Sequence, residues 1–107
     1  MDILRGEVYY AELPEGRGSE QSGIRPVVII SNNKGNKFSP TVVVACITTA
    51  NKVKIPTHVY IDLKHPSTIM TEQVLTLSKF RLKEKICTLS EEKIKELNRA
   101  IAISFGI

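Results

Sequence analysis

The chain has few of the residue types on which metal sites and nucleophilic catalysis usually depend. It contains two cysteines and two histidines in 107 residues. Cys46 and Cys87 are too few and too far apart for a zinc site, and their apolar neighbours predict two small buried hydrophobic residues. His58 and His65 have no evident catalytic partner in the sequence, so both are expected at the surface.

The motifs of several large enzyme classes are also absent. The sequence has no nucleophile elbow, no Walker loop and no His-Glu-x-x-His motif. It has no cluster of acidic residues suited to holding two metal ions. The chemistry that remains available depends on arginine and on hydroxyl groups.

Long apolar runs and a signal-peptide pattern are missing too, so we expect a cytoplasmic protein without a membrane partner. The length fits one domain, residues 1–107, which can bury a core without disulfides or metal. A net charge of +4 permits a polyanionic partner. Basic residues at 79–85 are mixed with nearby glutamates, which suits a solvated surface and a phosphate-facing surface equally well.

Short apolar segments separated by turn residues recur along the chain, and Ser90 precedes apolar residues at helical spacing. The predicted strands cover residues 7–13, 27–30, 41–49, 57–63, 69–77 and 82–89. The second and third lack polar alternation, so both should be buried on both faces. Residues 14–25 and 32–40 are predicted as a loop and a turn. The pattern predicts a small, strongly curved sheet or barrel of five or six strands with a terminal helix.

Two polar residues lie at the ends of the doubly buried strands. Arg25 precedes Pro26, which favours the first residue of a strand, so Arg25 is expected at a loop–strand junction with Glu20 as a plausible partner. Thr48 lies at the end of the next apolar strand. Antiparallel pairing would bring both to one edge of the sheet, where a guanidinium and a hydroxyl suit phosphoryl transfer. On spacing alone, a solvated arginine and a turn-capping Thr48 are more common.

A polar pair, Glu72-Gln73, interrupts the fifth apolar segment. A mostly apolar strand does not need these side chains for packing. The pair therefore marks either a groove or interface, or an exposed face of the strand.

Several segments, taken together, resemble the MazF/PemK family of toxins from toxin–antitoxin pairs. They are RGEVY at 5–9, GSEQSGIRPVVI at 18–29, Asn32, GN at 35–36, FSPT at 38–41, IT at 47–48 and PTHV at 56–59. The likeness is greatest for the Gram-positive MazF branch and runs nearly from end to end.

The resemblance implies a mainly β, SH3-like (PemK/CcdB-type) barrel of five to seven short strands with a C-terminal α-helix, working as a homodimer. It implies a sequence-specific endoribonuclease that needs no metal or cofactor. The implied substrate is single-stranded mRNA, cleaved to 2′,3′-cyclic phosphate and 5′-OH ends. The implied protein partner is a cognate MazE-like antitoxin, whose acidic, largely extended segment blocks the RNA groove.

The resemblance also assigns the site. It places the catalytic pair at Arg25 and Thr48, and supporting RNA contacts at Ser19, Glu20, Gln21 and Gln73. Where related chains often carry Gln-Ile-Arg-Thr, this one has Gln73-Val74-Leu75-Thr76, so a basic residue is missing there.

Two other functions stay open at this point. One is a protein-binding toxin of the same fold that poisons gyrase, which would need no catalytic pair. The other is a non-catalytic module that binds single-stranded nucleic acid, a class that normally stacks bases on several aromatic residues. The chain has three tyrosines and three phenylalanines, and most of them lie at positions expected in the core.

Overall fold

The computed structural model describes residues 2–14, 23–50 and 53–107. Its strands are β1 (Glu7–Leu13), β2 (Gly23–Ile29), β3 (Thr41–Thr48), β4 (His58–Asp62), β5 (Pro66–Ser78) and β6 (Leu82–Thr88). Its helices are α1 (Asn33–Phe38) and α2 (Glu91–Phe105), with a 3₁₀ turn at Lys79–Arg81. The strands form one curled antiparallel sheet in the order β4-β5-β3-β2-β1-β6. The mainly β prediction with a terminal helix is confirmed.

Both faces of the sheet are apolar, because side chains of the central strands alternate between two cores. The first core includes Tyr9, Ala11, Val27, Ile29, Val44, Cys46, Met70 and Leu77. The helix-side core includes Val8, Val28, Ala45, Ile47, Val59, Ile61 and Ile69, together with Leu97 and Ala100 of α2. This division explains why β2 and β3 show no polar alternation, and it confirms that both are buried on two faces.

Helix α2 begins and ends where the sequence predicts. The Ser90 hydroxyl accepts a hydrogen bond of 3.2 Å from the Lys93 N–H, which caps the first turn. Gly106 ends the helix, and its N–H bonds to the carbonyls of the last turn. Leu97 is 0% exposed and Ala100 is 2% exposed, so the predicted apolar side of α2 covers the helix-side core.

Strand β2 begins earlier than predicted. It starts at Gly23 rather than at Val27, because residues 23–28 pair with β1, from Leu13↔Gly23 to Val8↔Val28. On its other side, the ladder to β3 extends only to Val27. Pro26 lies next to that limit and has no N–H to donate. Arg25 therefore belongs to the strand itself rather than to a loop–strand junction.

The predicted turn at residues 32–40 contains the short helix α1. The Asn32 side chain accepts a hydrogen bond of 2.7 Å from the Gly35 N–H and caps the helix. Asn36 is buried, and its amide nitrogen donates to the Ser31 carbonyl at 2.9 Å. A single turn held by side-chain bonds of this kind has a weak signature in residue propensities.

Strand β5 carries three more residues than its partner at one point. Met70 is paired with Cys46, whereas the next pair along the ladder is Val74↔Ala45. The extra residues are 71–73, and they include the polar pair Glu72-Gln73. An odd insertion reverses the alternation of faces, so Leu75 and Leu77 rejoin the core that Met70 occupies.

Candidate active site

Arg25 and Thr48 lie on neighbouring antiparallel strands. The β2–β3 register pairs Val27 with Cys46. Continued by two residues, the same register sets Arg25 opposite Thr48, and opposed residues of an antiparallel pair have side chains on the same face. That is the face of the first core, since both residues follow its alternation. The antiparallel pairing on which the sequence-based hypothesis depended is therefore observed.

The two side chains differ in exposure and in bonding. Arg25 is exposed, whereas Thr48 is half-buried. Thr48 Oγ1 accepts a hydrogen bond of 3.2 Å from the Ala50 N–H, so the turn-capping arrangement is present. A hydroxyl accepts and donates separately, so this bond leaves the Thr48 hydrogen available for a phosphoryl oxygen.

The row that contains Arg25 and Thr48 continues across the sheet. Thr48 is paired with Thr68 of β5, and Thr68 is paired with Tyr60 of β4. The Tyr60 hydroxyl oxygen is inaccessible to solvent and makes no hydrogen bond within the described part of the chain. No sequence motif points to Tyr60, because its place in this row depends on two strand pairings.

The other predicted RNA contacts fall in two groups. Gln73 is exposed and lies among the three extra residues of β5. Ser19, Glu20 and Gln21, including the pairing of Glu20 with Arg25, lie outside the described residues.

Leu75, which stands where related chains often carry arginine, is a packing residue. It is half-buried and packs against the first core, where it is paired with Val44 of β3. The departure from the family pattern therefore exchanges a charged position for an apolar contact.

His58 is not the surface residue that the sequence predicts. Its side chain is 5% exposed, and its Nε2 lies 2.8 Å from Glu72 Oε2. Burial raises the pKa of Glu72, but hydrogen bonds from His58 and Thr57 and the His58 charge outweigh this effect and lower the pKa overall. The partner is 14 residues away along the chain, so no local motif reveals it. His65 is exposed, as expected.

Neither cysteine is an activated nucleophile. Cys46 is 3% exposed, whereas Cys87 is half-buried rather than buried as predicted. Burial raises the pKa of both thiols, and at Cys87 it outweighs the opposing charge of Lys85. A raised thiol pKa keeps the reactive thiolate scarce at neutral pH.

The expectation that most aromatic residues lie in the core is wrong. Tyr9 is 1% exposed, but Phe38 is 74% exposed and Phe80 is 91% exposed. Phe38 precedes β3, and the Lys79 N–H beside Phe80 donates to the Pro40 carbonyl at 3.1 Å. Both rings therefore lie at the opposite end of β3 from Thr48, where they cannot stack on bases held at the Arg25–Thr48 pair.

Part of the basic cluster at residues 79–85 is engaged in ion pairs. Lys85 Nζ lies 2.7 Å from Glu7 Oε2, and Arg81 Nη1 lies 3.9 Å from Glu12 Oε1. These contacts favour a structural and solvated role for the cluster over a phosphate-facing one.

The described residues contain neither a metal-binding cluster nor a membrane-spanning helix. Across residues 2–14, 23–50 and 53–107, no group of three or more His, Cys, Asp or Glu side chains is arranged to hold a metal ion. No helix in that part of the chain is both long and apolar enough to cross a membrane.

Comparison with known families identifies the group. A family described as PemK-like, MazF-like toxin of type II toxin–antitoxin system matches residues 4–105. The chain belongs to this family. It is 58% identical over 111 aligned residues to "Endoribonuclease MazF" of Staphylococcus saprophyticus, an alignment that covers 98% of this chain and 92% of the relative. The predicted family is confirmed.

Solved structures agree with this assignment. A mycobacterial endoribonuclease solved in complex with its cognate antitoxin superposes with a TM-score of 0.84 at 27% identity, covering 98% of this chain and 96% of the other. MazF of Deinococcus radiodurans gives a TM-score of 0.84 at 17% identity over 100% of this chain and 99% of the other, a likeness of fold. The MazF-type fold predicted from the sequence is confirmed.

Proposed function

We propose that this PemK/MazF-family chain is a sequence-specific endoribonuclease that cleaves single-stranded mRNA, and that Arg25 and Thr48 form its catalytic pair. The reaction class follows from the 58% identical endoribonuclease. The observation that supports the site assignment is the β2–β3 register: continued two residues beyond Val27↔Cys46, it brings the Arg25 guanidinium and the Thr48 hydroxyl to one face of the sheet.

The proposed reaction begins with attack by an RNA 2′-OH on the adjacent phosphate. The O2′–P bond forms, the P–O5′ bond breaks, the 2′-OH proton is lost and a proton is delivered to the leaving O5′. The products are a 2′,3′-cyclic phosphate and a 5′-OH end, with no cofactor consumed. Negative charge accumulates on the phosphoryl oxygens in the transition state, so fixed donors aimed at them lower the barrier.

Arg25 and Thr48 supply complementary donors for that charge. An arginine side chain stays protonated in proteins and presents a planar fork that matches a phosphate. Arg25 therefore stabilises the phosphorane rather than removing the 2′-OH proton. Thr48 donates its hydroxyl hydrogen to a phosphoryl oxygen, while the Ala50 N–H fixes the orientation of its oxygen.

The remaining predicted residues have supporting roles in this proposal. Glu20 orients Arg25 or takes part in proton transfer, and Ser19 and Gln21 contact the RNA. Gln73 presents an exposed amide, which can both donate to and accept from the edge of an unstacked base.

We propose that the chain works as a homodimer, because it leaves a strand edge open. β4 pairs with β5 only through residues 66–70, and residues 72–78 have no strand beside them on that side within the described chain. The end of α2 lies next to this edge, since Ser104 Oγ donates to the Thr71 carbonyl at 3.0 Å. Phe105 is 54% exposed and Ile107 is 89% exposed. An open edge beside exposed apolar side chains favours association with a second copy.

The second proposed partner is a MazE-like antitoxin. The mycobacterial neighbour was solved with its cognate antitoxin. The net charge of +4 suits an acidic, extended segment that competes with RNA. We place the activity in the cytoplasm, where mRNA is available.

The test is to map cleavage ends on a long RNA in the presence of EDTA, with purified wild-type, Arg25→Ala and Thr48→Val proteins. Arg99→Ala is the matched control, since Arg99 is an exposed arginine on α2, which covers the opposite face of the sheet. Wild type and Arg99→Ala should cut at one short sequence and leave cyclic phosphate ends. Arg25→Ala should abolish cutting, and Thr48→Val, which removes only the hydroxyl, should reduce it about 100-fold.

Two further results would overturn the proposal. Full activity of Arg25→Ala would rule out Arg25 as a catalytic residue. Cleavage of an oligonucleotide with a 2′-deoxy group at the cut site would rule out the 2′-OH as the nucleophile. Binding without cutting would point to a nucleic-acid module, and inhibition of gyrase in a topoisomerase assay would point to a gyrase poison.

A further inference from the structure

His58 lies between two hydrogen-bond acceptors. Its Nε2 is 2.8 Å from Glu72 Oε2, and its Nδ1 is 3.0 Å from the Val53 carbonyl. A carbonyl oxygen only accepts, and so does an ionised carboxylate. The ring therefore connects β5 to residue 53, which belongs to the segment that links Thr48 to β4.

The far end of that segment is anchored separately. The Thr57 carbonyl accepts hydrogen bonds from Thr71 Oγ1 at 2.7 Å and from the Thr71 N–H at 3.1 Å. Thr57 Oγ1 donates to Glu72 Oε1 at 3.0 Å. Residue 57 is thus fixed to β5 whether or not His58 is present, and His58 is the side chain that reaches back to Val53.

Glu72 contacts the segment at Thr57 and also orients the His58 ring. Its carboxylate binds one ring nitrogen, which turns the other toward the Val53 carbonyl. His58 borders a cleft between α2 and the segment before β4, and other charged groups line it: Lys54, Lys93, Glu96 and Arg99. The one carboxylate among them is already paired, with Lys93 Nζ 3.2 Å from Glu96 Oε2. Glu72 is therefore the carboxylate in contact with His58.

The position of this connection is notable for the proposed site. Glu72 is adjacent in sequence to Gln73, and both are among the extra residues of β5 that have no β3 partner. The segment that His58 holds follows Thr48 in the chain, and the Thr48 hydroxyl accepts a hydrogen bond from the Ala50 N–H. His58 and Glu72 thus connect the segment after Thr48 to β5, the strand that carries Gln73.

We propose that His58 and Glu72 are positioning residues for RNA binding, because they hold residues 53–57 against β5. This contact keeps residues 53–57 and Gln73 in one relative geometry. This inference rests on the proposed function for its consequence, but not for the contact itself. Loss of either side chain releases residue 53, and RNA then binds to a less ordered surface. The chemistry at Arg25 and Thr48 is affected less than the binding.

The experiment compares wild type with His58→Ala, Glu72→Ala and Glu72→Gln, and with His65→Ala as a control at the exposed histidine. A glutamine at 72 can accept from Thr57 and donate to a neutral His58, whose other nitrogen still donates to Val53. The Gln variant therefore preserves the connection without the charge, whereas the Ala variant breaks it.

The first measurement is trypsin cleavage of the native protein after Lys54, with cleavage after the exposed Lys34 as internal reference. His58→Ala and Glu72→Ala should speed the Lys54 cut about 10-fold relative to Lys34, because cleavage requires local opening. Glu72→Gln and His65→Ala should match wild type. An unchanged Lys54 rate in both Ala variants would overturn the proposal. Glu72 is exposed, so its Ala variant remains informative if His58→Ala fails to fold.

The second measurement is KM and kcat for cleavage of an RNA oligonucleotide. The two Ala variants should raise KM about 10-fold with a smaller change in kcat, and the double variant should be no worse than either single one. Equal loss of kcat in Glu72→Gln and Glu72→Ala would show that Glu72 acts directly on the RNA, and would overturn the positioning role. A wild-type protein that leaves RNA intact would overturn the proposed function, while the proteolysis result still decides the contact.

Discussion

Lys85 Nζ lies 2.7 Å from Glu7 Oε2, across the pairing of β1 with β6. The Glu7 side chain is 7% exposed, and its other oxygen accepts from the Leu4 N–H at 2.7 Å and from the Tyr9 hydroxyl at 3.0 Å. Burial raises the pKa of Glu7, but these hydrogen bonds and the Lys85 charge outweigh it and lower the pKa overall. A buried carboxylate with this many donors joins the N-terminal segment, β1 and β6.

The first prediction concerns acid stability. Because the folded-state pKa of Glu7 lies below its unfolded value, its contribution is present above the unfolded pKa and is lost as pH falls through the folded one. Glu7→Gln should lower the free energy of unfolding by about 1–3 kcal/mol at about pH 7, and by less at about pH 3. Urea denaturation at the two pH values measures this. Glu12→Gln, at an exposed pair, should change it little; an equal loss would contradict the assignment.

A second prediction concerns the same network at high pH. Burial and the neighbouring Glu7 carboxylate raise the pKa of Tyr9 to about 12. Its neutral form is favoured in the folded protein, so the stabilisation is present below the unfolded tyrosine pKa and is lost as pH rises toward the folded one. An absorbance titration of wild type and Tyr9→Phe should show a late ionisation that the variant lacks. Ionisation of all three tyrosines near their ordinary pKa would disprove this.

The third prediction tests the buried hydroxyl of Tyr60. Removing a buried polar atom that has no partner removes its desolvation cost. Tyr60→Phe should therefore raise the free energy of unfolding by about 1 kcal/mol. Because the hydroxyl is inaccessible, RNA cleavage should be unchanged. Destabilisation by the same amount would show that the hydroxyl has a partner, and a loss of cleavage at unchanged stability would place Tyr60 in the active site.

A fourth prediction separates two costs of adding a side chain to glycine. Gly6 has φ 91°, and a Cβ there would overlap Ile94 Cδ1; Gly23 has φ 78°, and a Cβ there would meet no atom of the described residues within 4 Å. Gly6→Ala should destabilise by about 2–3 kcal/mol and Gly23→Ala by about 1 kcal/mol. When Gly6→Ala is measured in an Ile94→Ala background, its free-energy cost should fall toward that of Gly23→Ala. Equal effects at the two glycines would show that contact with Ile94 costs nothing.

The fifth prediction concerns the proposed dimer. Phe105→Glu places a charge on the exposed apolar end of α2 and should leave a monomer where wild type forms a dimer, measured by sedimentation. Leu4→Glu is the control, because Leu4 is 45% exposed just before β1, which β3 and β2 separate from the open edge of β5. It should leave the mass unchanged. The reverse pattern would move the interface to the other end of the sheet.

The sequence predicted features whose physical cause is local. Purely apolar runs indicated β2 and β3, and Ser90 indicated the start of α2. Antiparallel pairing of β2 with β3, assumed to bring Arg25 and Thr48 together, is present in the structure. The catalytic roles of the two residues stay a prediction.

Features that depend on distant pairing were missed. His58 gains a partner from β5, and the reversal of faces within β5 depends on its register with β3, which its own sequence does not contain. The early start of β2 has the same origin, because pairing with β1 extends the strand through Arg25 and Pro26.

The three extra residues of β5 divide that strand into two mechanical units. Residues 68–70 are held between β3 and β4, whereas within the described chain residues 74–78 pair with β3 alone. The short joint between them contains Thr71, which is bonded both to Thr57 and to α2. A second chain that binds along residues 74–78 can therefore affect residues 68–70 only through this joint. Strand β5, the segment before β4 and helix α2 all meet at Thr71.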